Sequence, residues 1–113
     1  MCNVDKAAIE RGAIVSKEKY LCKITVIKIE FYTDLYNEYP HGDATPCGKV
    51  KLGQEFITEN RWTPPEGFCI WAWRDIVPLI QWFHEGREEP FICCCTDALR
   101  PVTFKLERVE ITK

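Results

Sequence analysis

The chain has 113 residues, seven of them cysteine, with 15 Lys and Arg against 17 Asp and Glu. A chain of that length forms one domain, and 46% hydrophobic with 28% charged residues excludes a disordered chain, because enough apolar surface is available for a core. A net charge of −2 without a basic cluster argues against nucleic-acid binding, and no apolar run reaches the roughly 18–20 residues that a membrane span needs.

The first strongly patterned segment is a strand predicted from Tyr20 to Tyr32, because it is rich in β-branched and aromatic residues. Residues 1–18 carry only a weak helical turn, so we interpret them as an N-terminal extension of a single domain formed by residues 19–113. Within the strand the apolar alternation changes phase. One face carries Cys22, Ile24 and Val26, and the other carries Ile27, Ile29 and Phe31.

The last segment, from Val102 to Ile111, changes phase in the same manner. Its apolar residues are Val102, Phe104 and Leu106, followed out of phase by Val109 and Ile111. The side-chain period of a strand is two, so a slip of one residue is what a β-bulge produces. We therefore predict that the two long strands pair with each other and join the two ends of the domain.

Two further elements are predicted between these strands. A short strand from Gln54 to Ile57 follows turn-rich sequence, and a helix from Ile76 to Glu85 begins after Asp75 as N-cap and ends at Gly86. The apolar stripe of that helix comprises Ile76, Leu79, Ile80 and Phe83. The sum is an α+β fold, with a small antiparallel sheet, long N- and C-terminal strands, and one main helix near residues 75–85.

The number of cysteines bears on the compartment. Seven is an odd number, so the cysteines cannot all pair in disulfides within one chain. The start of the chain also lacks the charged and apolar pattern of a secretory signal. Both observations favour the reducing cytoplasm, where clustered cysteines indicate metal, redox or catalytic groups. The alternative is that free cysteine packs as a small hydrophobe, which is our interpretation of Cys22.

Three motifs occur in order over roughly residues 20–110. They are Pro46-Cys47 followed by Gly53-Gln54-Glu55-Phe56, then PEGFCIWAWRDI from Pro65 to Ile76, then CCTDALRPVTFK from Cys94 to Lys105. Together they resemble a family of small, functionally uncharacterised prokaryotic proteins, whose motifs read Pro-Cys leading into GQxF, PEGFCxWAWxDI and CCTDGxRPVxFK. The resemblance implies family membership and no particular reaction. The chain differs from the family pattern at Ala98, where the family has glycine.

The consecutive cysteines Cys93, Cys94 and Cys95 form the most unusual segment. Neighbouring side chains alternate in a strand, so Cys94 would point away from the other two. We consider Cys94 and Cys95 as candidate catalytic thiols, with the charge of Arg100 favouring a thiolate and Asp97 orienting groups at the edge of the site. The alternative is a buried strand that ends in a Thr-Asp turn, in which Arg100 pairs with Asp97.

A metal site is the second hypothesis for the cysteines. Cys47, Cys69 and Cys95 could converge from three loops to bind a transition metal such as zinc, with His41 or His84 as a fourth ligand. The chain has no C-x-x-C pair, so the spacing itself carries no ligand signature. The alternative for both histidines is a plain surface position.

Two other groups of side chains could belong to a site. Glu66 lies in an aromatic-rich loop and could act as an acid or base, although its spacing from Thr63 also fits a capping turn. Trp71 and Trp73, together with Cys69, could bind a ligand. The same aromatic side chains could instead complete the core or form a dimer contact.

The leading hypothesis is a small cytoplasmic protein with a cysteine-lined site, built by Cys47, Cys69, Cys94 and Cys95, for a metal, a redox step or a small-molecule ligand. The competing class is a non-enzymatic interaction or structural module that forms a homo-oligomer. Whether any reaction is catalysed stays open at this point, because no known catalytic motif is present.

Overall fold

The structure is a computed structural model and describes residues 18–111. Its elements are β1 (Tyr20–Ile29), α1 (Thr33–Glu38), β2 (Glu55–Thr58), α2 (Ile70–His84), β3 (Phe91–Cys94) and β4 (Val102–Glu110). The four strands form one antiparallel sheet in the order β2-β1-β4-β3, with α2 as the main helix. The predicted α+β fold is therefore confirmed. Apart from Glu18, the predicted N-terminal extension lies outside the described residues, as does Cys2.

The pairing of the two long strands is confirmed. β1 and β4 run antiparallel from Tyr20 opposite Glu110 to Ile29 opposite Val102, with a register shift between Val26 and Lys28. Ile27 is the extra residue of this bulge, and it returns Ile29 to the face of the sheet that packs against the core. The first of the two predicted phase slips is thus a real bulge.

The second predicted slip, in the last strand, is wrong. The register between β1 and β4 is continuous from Leu106 to Glu110, so β4 has no bulge there. Val109 lies opposite Leu21, and both side chains are half-buried on the sheet face away from the core. A cross-strand apolar pair on the outer face therefore produced the same sequence pattern as a bulge would.

The main helix begins earlier than predicted. α2 begins at Ile70 with Cys69 as N-cap, whereas Asp75, the predicted cap, lies inside the helix. Pro78 therefore also lies in the helix interior, where its missing N–H leaves the carbonyl of Arg74 without its usual partner. Tertiary packing compensates for this, since the helix buries one face against the sheet with Ala72, Trp73, Ile76, Ile80, Phe83 and His84.

Phe68 fastens the loop before α2 to the sheet. Its ring centroid lies 4.9 Å from that of Phe56, 5.5 Å from that of Phe104 and 6.2 Å from that of Trp73. Gly67 has a φ of +82°, so the chain turns there at low steric cost. This cluster sets the position of Cys69 and of the first turn of α2. Between residues 18 and 111, none of the helices is long and apolar enough to cross a bilayer.

Candidate functional site

Three loops and the start of α2 enclose a cleft with a volume of about 470 Å³. It lies where β3 ends and β4 begins, beside the N-terminus of α2. Three cysteines reach it from separate parts of the chain: Cys47 from the loop before β2, Cys69 as the helix N-cap, and Cys95 after β3. The other lining residues are His41, Lys49, Trp71, Thr96, Asp97, Ala98, Leu99 and Arg100.

Some of the site residues predicted from the sequence line the cleft, and others lie elsewhere. Cys47, Cys69 and Cys95 are each half-buried and pack against the core. Trp71 also lines the cleft and is 58% exposed. One exposed aromatic side chain and three half-buried cysteines thus line the same cleft.

Trp73, Glu66 and Cys94 are placed elsewhere. Trp73 is 5% exposed and belongs to the core, so it cannot contact a ligand. Glu66 is exposed and lies outside the cleft, which removes the apolar surroundings that its role as an acid or base required. Cys94 is exposed on the sheet face opposite to Cys93 and Cys95, as the alternation of a strand predicts.

Arg100 holds one wall of the cleft in place. Its side chain is only 13% exposed. Its Nε donates a hydrogen bond to the carbonyl oxygen of Thr45 at 3.0 Å, and Nη2 donates to the carbonyl oxygens of His41 and Asp43. A Cβ at Gly42 would lie 3.0 Å from Nη2, so the loop approaches the guanidinium closely. The planar fork of arginine suits this capture of several carbonyls.

Asp97 shapes the turn that carries Arg100. Its Oδ1 accepts hydrogen bonds from the N–H groups of Leu99 and Arg100, both at 3.0 Å. Its Oδ2 lies 3.8 Å from Nη1 of Arg100. Both carboxylate oxygens are therefore engaged in the turn, and the geometry favours a structural role over acid or base chemistry.

The environments of the thiols separate them into two groups. Burial raises the pKa of Cys22 and of Cys93 to about 12, so both thiols stay protonated at neutral pH. Sγ of Cys95 accepts a hydrogen bond from the N–H of Val102 at 3.3 Å, which fixes its side chain at the cleft. Because the thiolate is the reactive form, Cys22 and Cys93 are poorly suited to thiol chemistry, whereas Cys47, Cys69 and Cys95 are half-buried and Cys94 is exposed.

The metal hypothesis receives no support from the geometry. Among the residues that the structure describes, no group of three or more His, Cys, Asp or Glu side chains is arranged to hold a metal ion. Cys47, Cys69 and Cys95 share the cleft without forming such a group. A structural zinc site needs four ligands in tetrahedral geometry, so the cleft does not have the arrangement that zinc requires.

His84, interpreted as a surface residue from the sequence, is buried in the structure with 3% exposure. Its Nε2 lies 2.7 Å from Oγ1 of Thr58, and its Nδ1 lies 3.5 Å from the carboxylate of Glu18. Glu18 in turn accepts two hydrogen bonds of 2.9 Å from Arg61. The stripe of α2 could have revealed this position, because His84 follows Ile80 by one helical turn.

The order hydroxyl, imidazole and carboxylate resembles a catalytic triad, but its position excludes that role. Thr58 is fully buried, and its hydroxyl exchanges hydrogen bonds of 3.2 Å with the backbone N–H and C=O of Cys22. No substrate can reach a hydroxyl in that position. The arrangement instead joins β1, β2 and the end of α2.

This network makes stability depend on pH. Desolvation lowers the pKa of His84 below 6.5, only partly offset by Glu18, so the folded protein keeps the imidazole neutral. Below pH 6.5 the unfolded chain binds a proton that the folded chain does not, and the free energy of unfolding falls as the pH falls from 6.5 towards the folded pKa. Each unit by which the pKa is lowered corresponds to about 1.4 kcal/mol.

Urea unfolding at a series of pH values between 7 and 5 measures this slope. His84→Gln is expected to flatten the slope in that window, and His41→Gln, at an exposed loop histidine, controls for the loss of a histidine. The pKa of Glu18 is lowered mainly by its hydrogen bonds to Arg61, so its own contribution is lost only as the pH falls below 4.5. An unchanged slope in His84→Gln would contradict the assignment.

Comparison with known proteins adds no relative: no family model, no curated protein and no solved structure matches this chain.

Proposed function

We propose that this protein binds a small anionic ligand in the cleft lined by Cys47, Cys69 and Cys95. The observation that carries the proposal is the convergence of three half-buried thiols and an exposed tryptophan, Trp71, on one opening of about 470 Å³. Small-molecule sites are concave and mostly apolar with a few polar groups, and a cleft of that volume lies in their usual range.

The charged residues that line the cleft favour an anionic ligand. Lys49 and Arg100 line the cleft against one acidic residue, Asp97, although the whole chain carries a net charge of −2. The guanidinium of Arg74 lies 5.2 Å from the ring centroid of Trp71, but it also lies 3.7 Å from the carboxylate of Asp75, so the positive charge of the lining comes from Lys49 and Arg100. A local charge opposite in sign to that of the chain raises the local concentration of an anionic ligand.

A matched pair of probes tests the proposal. Benzoate is expected to shift the amide NMR signals of the segment 95–100 and of the first turn of α2, because its ring can stack on Trp71 and its carboxylate can face the cations. Benzyl alcohol, which has the same ring without the charge, should bind more weakly. Shifts scattered over the surface, or equal binding of the two probes, would overturn the proposal.

Substitutions of two lysines, one inside the lining and one outside it, test whether the charge of the cleft itself binds benzoate. Lys49→Gln removes a cation of the cleft and should weaken benzoate binding by a factor of about 2–5, the size expected for a solvent-exposed charge. Lys51→Gln removes the same charge outside the lining and should leave the affinity unchanged. Equal effects of the two substitutions would show that net charge, and not the cleft, determines binding.

One observation favours the competing interaction module. α2 packs on one face of the sheet, and the opposite face has half-exposed Ile57 and Ile92 near its two edges. The centre of that face is charged, since Lys23 lies 3.6 Å from Glu55 and 3.8 Å from Glu107. A charged centre is unlike the apolar core of a stable dimer interface, so this alternative is the weaker of the two. Sedimentation velocity tests it directly.

A reducing compartment, the cytoplasm, is part of the same proposal. The structure leaves Cys22, Cys47, Cys69, Cys93, Cys94 and Cys95 as free thiols. Free thiols persist in the cytoplasm and are oxidised outside it.

A further inference from the structure

We infer that the cleft reacts by thiol–disulfide exchange with small disulfides that carry carboxylates, forming a mixed disulfide on one of its cysteines. This inference rests on the proposed function, since it names the class of anion that the cleft accepts.

Accessibility separates the thiols that can react from those that cannot. Cys22 is fully buried at the centre of the sheet, and Cys93 faces the core, where burial raises its pKa to about 12. Cys47, Cys69 and Cys95 are half-buried at the wall of an open cleft, so a small molecule that enters can meet a sulfur atom.

Charge selects among small disulfides. Lys49 and Arg100 line the same cleft, and Asp97 offsets the charge of Arg100, so the lining keeps one net positive charge, that of Lys49. A disulfide that ends in carboxylates is attracted to this opening, whereas one that ends in ammonium groups is repelled. The structure therefore predicts selectivity by the sign of the reagent's charge.

The exchange conserves atoms and electrons. A cleft thiol first loses its proton to solvent, and the thiolate attacks one sulfur of the reagent RSSR. The new Cys–S–SR bond forms as the S–S bond of the reagent breaks, and RS⁻ leaves and takes up a proton. The cysteine is oxidised to the mixed disulfide, one half of the reagent is reduced to RSH, and no other oxidant is needed.

The internal comparison is Cys94, which is exposed on the opposite side of β3 and does not line the cleft. A reagent that reacts with Cys94 does not enter the cleft that Lys49 and Arg100 line. Its reactivity corrects for differences in leaving-group chemistry between reagents. Selectivity of the cleft is therefore expressed as the ratio of its rate to that of Cys94.

The experiment compares dithiodipropionate with cystamine, two aliphatic disulfides of similar length and opposite charge. All proteins carry Cys2→Ser, because Cys2 lies outside the described residues. Cys94→Ser leaves the cleft thiols, and the combined variant Cys47→Ser, Cys69→Ser, Cys95→Ser leaves Cys94. Mass spectrometry follows adduct formation with time in each protein.

The ratio of the reaction rate with dithiodipropionate to that with cystamine is expected to be about tenfold higher at the cleft than at Cys94. Electrostatic focusing in a cleft changes rates by that order. The preference should collapse in about 1 M salt, where the screening length is only about 3 Å. Lys49→Gln should reduce it and Lys51→Gln should not, which keeps the test valid if the triple variant fails to fold.

Equal selectivity at the cleft and at Cys94, or a preference insensitive to Lys49→Gln, would overturn the inference. That failure differs from a failure of the proposed function. Benzoate binding in the cleft without selective exchange would leave the ligand site in place and remove only the disulfide chemistry. Loss of both benzoate binding and selective exchange would remove the site altogether.

Discussion

Replacing Thr58 by valine is expected to lower the free energy of unfolding by about 3 kcal/mol or more, although the two side chains have nearly the same shape. The Thr58 hydroxyl serves three partners, namely the N–H and C=O of Cys22, both at 3.2 Å, and Nε2 of His84 at 2.7 Å. All three lie in the buried interior, where each group left without a partner costs about 1–3 kcal/mol. The midpoint of thermal unfolding should fall by roughly 10–20 °C.

Thr25→Val is the matched control for that experiment. Thr25 lies on the same strand as Cys22, and its hydroxyl oxygen is buried without a hydrogen-bond partner. Removing it should therefore be neutral or raise the stability by up to about 1 kcal/mol. Urea unfolding measures the free energy of unfolding of both variants. Similar losses in the two would show that the hydrogen bonds of the Thr58 hydroxyl contribute nothing specific to stability.

Replacing Arg100 by lysine is expected to weaken benzoate binding more than about tenfold while the protein stays folded. Lysine keeps the charge but loses the planar fork that holds the carbonyls of His41, Asp43 and Thr45 together. It also loses the stacking on Phe31 and Tyr36, whose ring centroids lie 5.8 Å and 6.0 Å from the guanidinium carbon. The loop would then separate from the turn after β3, and the affinity for benzoate should fall more than about tenfold, or about 1.4 kcal/mol.

Hydrogen exchange reports the same change directly. The N–H of Tyr32, which donates to the carbonyl oxygen of Leu99 beside Arg100, should exchange faster in Arg100→Lys, because the turn that carries Arg100 loses its anchor. Arg87→Lys is the control, since Arg87 also donates to a backbone carbonyl and stacks over aromatic rings but lies outside the cleft. If Arg100→Lys left both the exchange rates and benzoate binding unchanged, Arg100 would not be the anchor of the cleft wall.

The sheet was largely predictable from the sequence, and the helix less so. β-branched and aromatic alternation marked β1 and β4, and the phase change at Ile27 marked the bulge. The same reasoning failed near Val109, because apolar residues that pair across the outer face give the identical pattern. The start of α2 was missed since Asp75 has the chemistry of a cap, whereas the packing of Phe68 begins the helix at Ile70.

The candidate site was likewise predictable from the sequence only in part. The motifs brought Cys47, Cys69 and Cys95 to attention, but only the structure places them in one cleft and moves Trp73 into the core. Asp97 and Arg100 were selected for chemistry, and the structure shows them as the turn and anchor that form the wall. For His84, on the flank of the predicted helix, the sequence favours a surface position, whereas the structure buries it.

The sequence by itself determined the α+β fold class and the pairing of its two long strands, and it marked the cysteines that line the cleft. These features depend on side-chain periodicity and composition, which are properties of neighbouring residues along the chain. Only the tertiary structure decided which cysteines line the cleft, which aromatic side chain lines it with them and which histidine is buried. Those outcomes depend on contacts between residues far apart in the chain, such as Thr45 with Arg100 and Thr58 with His84, which local pattern does not encode.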